Sequence, residues 1–185
     1  MGKAAAAITI EQANKVMQQL KDSNKQHYAD VALFLVGQCV RISDALSVKV
    51  EDVQGGVWML KEAKTGNLKP MKLHPSVVAM VERRMKDYPD AIYLFENNYH
   101  AKAKGKALRR ESCSVAFSEA GEAVGLSGVS AHSFRKAAAK NIYSKTGNNI
   151  AAAMKVLNHR TPAATLAYIS ETDQELNDLL SMADI

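Results

Sequence analysis

Two stretches decide how this chain is read: AHSFRKAAAK at residues 131–140 and LNHRTPAATLAYI at residues 157–169. In the first, Ser130 offers an N-cap and Gly147 a stop, which predicts a helix over about Ala131 to Lys145. His132 and Arg135 are three apart on that helix and share a face, with Phe134, Ala138 and Ile142 as its buried side. In the second, Thr161 and Pro162 suit the N-cap and N1 positions of a helix that carries Tyr168. His159 stands nine residues before that tyrosine, between two predicted helices that would present both side chains to one space. Taken singly, each residue has an ordinary explanation. A His-x-x-Arg pair is most often a surface ion-pairing face, His159 a helix-end residue, and Tyr168, flanked by Ala167 and Ile169, a half-buried core tyrosine. It is their combination that points to chemistry.

The first half of the chain adds two cations. Arg41, in CVRISDAL (39–46), follows ten mostly apolar residues, and a guanidinium entering that setting needs an anion or a partner. Ser43 is expected to cap a short helix holding Asp44, Ala45 and Leu46, which leaves Arg41 in a rigid turn with Asp44 to orient it. Lys64, in KEAKTGNLK (61–69), falls at the tip of a predicted β-hairpin whose strands run over about Val57–Ala63 and Leu68–Leu73, flanking Thr65-Gly66-Asn67. Two arginines, two histidines, a lysine and a tyrosine supply what phosphodiester chemistry needs without a metal: cations for phosphate oxygens, proton-transfer groups and a phenolic nucleophile.

Elsewhere the pattern is mostly helical. Thr9 with Gln12 reads as a capping box opening a helix through about Leu20. A central helix, almost continuously apolar from Val31 to Val36, is expected over Gln26 to Val40, followed by helices from Pro75 to before Pro89 and near Ser112–Val124. Asn148 is expected to cap Asn149–Leu157. Thr172 and Glu175 form a last capping box before an apolar stripe of Leu176, Leu179, Leu180 and Met182. The predicted class is mainly α with one small antiparallel β-sheet. The segment from Lys102 to Arg110 holds Lys102, Lys104, Lys106, Arg109 and Arg110 and no acid. It is either a solvated loop or a loop that touches phosphates without reading sequence.

The 185 residues suit one domain with a real core, and the 47% apolar content excludes a disordered chain. The net charge of +5 and pI of about 9.1 favour a polyanionic partner. Cys39 and Cys113 are far apart and form no Cys-x-x-Cys, so neither a metal site nor a disulfide framework is expected, and the setting is a reduced, cytoplasmic one. No apolar run is long enough to span a membrane. Residues 1–8, with the alanine run at 4–7, are expected to be a flexible tail, and 9–185 one catalytic domain.

In order, Arg41, Lys64, His132-x-x-Arg135, His159 and Tyr168 resemble the pattern Arg…Lys…His-x-x-Arg…His/Trp…Tyr of the tyrosine recombinases, the phage integrase and Xer-type family. The resemblance runs from about Thr9 to Ile169. Two departures occur: Asn158 stands where the family usually has Gly before the histidine, and Cys39-Val40 where it has Gly-Leu or Gly-Met before the arginine. The resemblance implies the catalytic fold shared with type IB topoisomerases, and a site-specific recombinase that cleaves and rejoins double-stranded DNA through a 3′-phosphotyrosine. It implies Tyr168 as nucleophile, Arg41, Arg135 and His159 as stabilisers of phosphate charge, Lys64 as general acid and His132 as proton-transfer aid. It further implies no cofactor, a homotetramer on DNA with the C-terminal helix packing between protomers, and a nucleoid-associated location. The separate N-terminal DNA-binding domain usual in the family is expected to be absent. A topoisomerase-like relaxing enzyme and a DNA-binding regulator with a dead site are the other readings. Retention of all six positions argues against the second.

Overall fold

The computed structural model describes residues 5–61, 68–97 and 104–169. These form helices α1 (Ile10–Asp22), α2 (Gln26–Gln38) and α3 (Ile42–Leu46), then strands β1 (Val53–Gln54), β2 (Val57–Lys61) and β3 (Leu68–Lys72). Helices α4 (Pro75–Asp87), α5 (Arg110–Ala123), α6 (Ala131–Lys145), α7 (Ile150–Leu157) and α8 (Pro162–Ile169) follow.

The predicted capping box closes α1: Gln12 N–H donates to Thr9 Oγ1 at 3.1 Å, and Thr9 N–H donates back to the Gln12 side chain at 2.8 Å. Its apolar stripe buries Ala13, Val16, Met17 and Leu20. Helix α2 is the hub, packed against α1, α4 and α6. Its near-continuous apolar sequence follows from being covered on several sides. A side chain at Gly37 would bring a Cβ within 2.5 Å of a Val77 methyl, so the close approach of α2 and α4 depends on that glycine. Phe34 of α2 meets Trp58 and Phe95 edge-on, each at 5.4 Å between ring centroids, and this aromatic cluster joins helix, sheet and loop.

The sheet is an antiparallel meander, β1-β2-β3, with Val53 opposite Trp58 and Trp58 opposite Met71. Pro70 sits on the edge strand β3, where the missing N–H breaks no inner ladder. The short β1 adds to the expected hairpin. Its turn is Gly55-Gly56, both at positive φ (53° and 75°), the conformation a tight two-residue hairpin requires. The expected hairpin tip, with Lys64, lies outside the described residues.

Several expected boundaries shift. Helix α2 stops at Gln38 because Cys39 turns left-handed (φ 52°). Arg41, not Ser43, caps α3, since Asp44 reaches back to the Arg41 N–H at 3.3 Å. Helix α5 starts at Arg110. Gly147 and Asn148 both turn left-handed (φ 66° and 60°) to leave α6, so Asn149 rather than Asn148 caps α7. The packed part of the chain begins before Thr9: Ala6 N–H donates to the Gly128 carbonyl at 3.1 Å and Ile8 is buried.

Charge inside this core is tied off locally. Asp30 on α2 is 1% exposed and takes Arg84 of α4 at 3.0 Å, Arg83, and the Gln26 amide at 2.8 Å. Arg84 is itself buried and donates through Nε to the Leu94 carbonyl at 2.7 Å. Removing Arg84 leaves a buried carboxylate with the half-exposed Arg83 as its remaining cation. Arg84→Met should therefore cost about 3 kcal/mol, read from urea unfolding. A loss below about 1 kcal/mol would show that Arg83 alone satisfies Asp30.

Candidate active site

The site is built around Arg135. A capping box of Ser130 and Ser133 starts α6, with the Ser130 N–H donating to Ser133 Oγ at 3.1 Å. One turn in, Arg135 is 4% exposed. Its Nε donates to the Cys39 carbonyl at 3.0 Å and Nη2 to the Leu157 carbonyl at 2.9 Å. These carbonyls end α2 and α7, where the helical ladder leaves acceptors without partners and the helix dipole is negative. The expected shared open face of His132 and Arg135 is therefore half right: His132 is exposed and Arg135 is buried.

Both helix ends turn through the left-handed region, at Cys39 (φ 52°) and at Asn158 (φ 52°). Asparagine adopts this readily; a residue like cysteine loses roughly 1–2 kcal/mol there. Cys39 has compensation. It is 1% exposed, and its thiol donates to the Arg135 carbonyl at 3.6 Å. Burial pushes that thiol up to about 11, so it stays protonated and a donor through the neutral range.

Tyr168 lies between Arg135 and His159. The Arg135 Cζ is 5.9 Å from the tyrosine ring centroid, and the His159 ring meets it edge-on at 5.5 Å and 88°. The phenol hydroxyl is buried and has no hydrogen-bond partner among the described residues. Burial raises the Tyr168 pKa above its ordinary value, against the opposing pull of Arg135 and, less, Arg41. His159 is anchored by its backbone N–H on the Met154 carbonyl at 3.0 Å, with its Nδ1 3.1 Å from Thr165 Oγ1. Burial first, then Arg135 and Arg41, hold His159 below the usual imidazole range. His132, though exposed, is also lowered, by partial loss of solvent around its ring first and then by Arg135, Arg110 and Arg41.

Three guanidinium groups thus act on two imidazoles and a phenol. Among the described residues no carboxylate forms an ion pair with Arg41, Arg110 or Arg135. Asp44 does not offset them through a side-chain pair; it binds the backbone N–H of Arg41 and fixes the turn, not the guanidinium. A cationic, partly dehydrated cluster with neutral imidazoles is suited to an anion with several acceptor oxygens.

The basic segment divides. Lys102 lies outside the described residues, as does Lys64. Lys104 and Lys106 are exposed on the stem of a loop, Arg109 is the N-cap of α5 and Arg110 its first residue. Arg110 thereby reaches the His132 environment. The stem is pinned by Glu96, 3% exposed, which accepts N–H bonds from Gly105 at 2.7 Å and Ile92 at 2.8 Å. Sequence reading missed Glu96, Thr165 and the carbonyls of Cys39 and Leu157. Only Thr165 carried a signal, its spacing of three from Tyr168 on one helix face. Among the described residues no group of His, Cys, Asp or Glu could hold a metal ion, and no helix is long and apolar enough to cross a membrane.

The chain is similar to known proteins over nearly its whole length. A probable integrase/recombinase of Bacillus subtilis (strain 168), YoeC, is 29% identical over 163 residues, covering 87% of this chain and 86% of that protein. Among solved structures, XerA recombinase superposes with a TM-score of 0.73 at 15% identity, over 100% of this chain and 67% of that one. XerH site-specific recombinase, bound to palindromic difH substrate in a post-cleavage complex, gives 0.74 at 17% identity, over 97% and 54%. A lambda integrase dimer bound to a COC' core site gives 0.70 at 19%, over 92% and 49%. The chain therefore has the fold of these enzymes but spans about half the length of the XerH and lambda integrase chains. The sequence profile of the phage integrase family matches residues 6–175, and the chain belongs to that family.

Proposed function

We propose that this chain is a site-specific DNA recombinase that cuts and rejoins double-stranded DNA through a 3′-phosphotyrosine. One observation carries the reading: Tyr168 packs between Arg135 and His159, inside a cluster of cations with no paired carboxylate among the described residues. In the proposed step the Tyr168 oxygen attacks the scissile phosphorus, an O–P bond forms, and the bond to the 5′ oxygen breaks. The phenol proton passes toward His132, whose lowered pKa keeps it neutral and able to accept. Lys64 donates a proton to the departing 5′ oxygen. Arg41, Arg135 and His159 take the charge that develops on the non-bridging oxygens. The phosphodiester energy is retained in the protein link, so reversal by a 5′ hydroxyl reseals the strand.

The buried hydroxyl fits a resting state. With a raised pKa and no partner among the described residues, Tyr168 is a poor nucleophile as it stands, and it has to meet a phosphate and a proton acceptor to react. The proposed partners are duplex DNA and further copies of the chain in a tetramer, in the cytoplasm with the nucleoid. Lys102, Lys104, Lys106 and Arg109 are the proposed backbone contacts, with Arg110 nearer the reacting phosphate.

A nicked suicide substrate from the DNA that flanks the gene should trap a covalent complex with the natural protein and none with Tyr168→Phe. The same substitution removes a buried hydroxyl without a partner among the described residues, so the phenylalanine variant should be more stable by about 1 kcal/mol in urea unfolding. A covalent adduct from the variant would refute the nucleophile. A variant that loses about 1 kcal/mol or more would show that the hydroxyl is bonded in the free protein.

The basic segment has its own test. Replacing Lys102, Lys104, Lys106 and Arg109 together should weaken binding to all DNA sequences alike. The slope of log affinity against log salt should fall by about 0.9 for every phosphate that no longer meets a cation. An unchanged slope would mark these residues as a solvated surface.

A further inference from the structure

We infer that Thr165 is a positioning residue for His159: its hydroxyl donates to Nδ1 and fixes the ring with its own proton on Nε2. The inference rests on the recombinase reading for its purpose, and on geometry for its substance. Thr165 is fully buried in α8 and its Oγ1 lies 3.1 Å from His159 Nδ1. The other acceptor near that hydroxyl is the Thr161 carbonyl at 3.5 Å, the long limit of a hydrogen bond, and this carbonyl already takes the Thr165 backbone N–H at 3.4 Å. A hydroxyl has one proton, and the closer acceptor is the imidazole nitrogen.

The consequence is chemical. Burial first, then Arg135 and Arg41, disfavour an imidazolium at residue 159, so the neutral ring is the form favoured in the free protein. A neutral ring protonated on Nδ1 would offer a lone pair at Nε2 and repel a phosphate oxygen. Protonated on Nε2, it donates to that oxygen while still uncharged. Thr165 makes the difference between the two. It is also three residues before Tyr168 on α8, so one helix face carries the nucleophile and the group that sets its neighbour. The groups around the ring are Arg135 from α6, Arg41 before α3, and Tyr168 and Thr165 from α8.

Thr165→Val keeps the shape and removes the hydroxyl; Thr165→Ser keeps the hydroxyl. Imidazole nitrogen NMR of the DNA-free protein at about pH 8, where histidine is neutral, should show His159 protonated on Nε2 in the natural protein and in Thr165→Ser. Thr165→Val should show a mixture of the two neutral forms. At saturating suicide DNA, Thr165→Val should cleave roughly tenfold more slowly, the worth of one net hydrogen bond, with Thr165→Ser near the natural rate. In a His159→Ala background the valine change should add nothing, because its effect runs through the ring. A natural protein protonated on Nδ1, an unchanged ring in Thr165→Val, or full additivity with His159→Ala overturns the inference. Absence of any covalent complex from the natural protein would sink the recombinase reading alone, and the NMR result would still decide the hydrogen bond.

Discussion

A buried guanidinium that ends two helices is the constraint on which this structure turns. Arg135 could not be buried at 4% exposure unless its donors were met. The fold meets two of its five N–H groups, Nε and one on Nη2, with the Cys39 and Leu157 carbonyls, the spare acceptors at the ends of α2 and α7. Each side solves the other's problem: the helix ends gain donors and a cation at their negative poles, and the arginine gains a fixed direction. The ends of α2 and α7 then stand at set distances from α6. The loop that bears His159 and the helix that bears Tyr168 start from a fixed point.

The cost of this arrangement is visible in three places. Cys39 takes a left-handed conformation that few residues accept, Tyr168 buries a hydroxyl without a partner among the described residues, and three cations gather without paired carboxylates there. None of these helps a free protein fold. A phosphate oxygen would meet the cations and give the phenol a partner, while Cys39 is compensated by its burial and its thiol bond to the Arg135 carbonyl. Offsetting packing comes from the α2 hub, the Phe34–Trp58–Phe95 cluster and the Asp30–Arg84 tie.

How much of this was legible in the sequence follows from the range of each interaction. Local signals read well. The Thr9–Gln12 box, the Ser130 cap, and Pro75 and Pro162 at helix starts depend on residues a few positions apart, and the pairing of Val57–Lys61 with Leu68–Lys72 on a single connecting turn. Errors arose where two neighbours competed for one role. Ser43 was expected to cap α3 with Asp44 inside it, but the helix begins earlier, at Ile42, with Arg41 as N-cap and Asp44 reaching back to its N–H. Asn148 and Asn149 both suited the start of α7, but Asn148 was already committed to leaving α6. The site residues were readable as a set of types in order. Their arrangement was not, because Arg135 is held by backbone carbonyls 96 and 22 positions away, and a carbonyl has no residue type to read.

Whether the Arg135 fork sets the site is tested most directly by hydrogen exchange on Arg135→Lys. Lysine keeps the charge, but its single ammonium lacks the planar fork that reaches both carbonyls. If the fork governs, backbone amides of α7 and α8 lose protection while those of α1 and α4 keep theirs. Unchanged protection across α7 and α8 would contradict it, and would mean that packing alone, without the fork, holds His159 and Tyr168 in place.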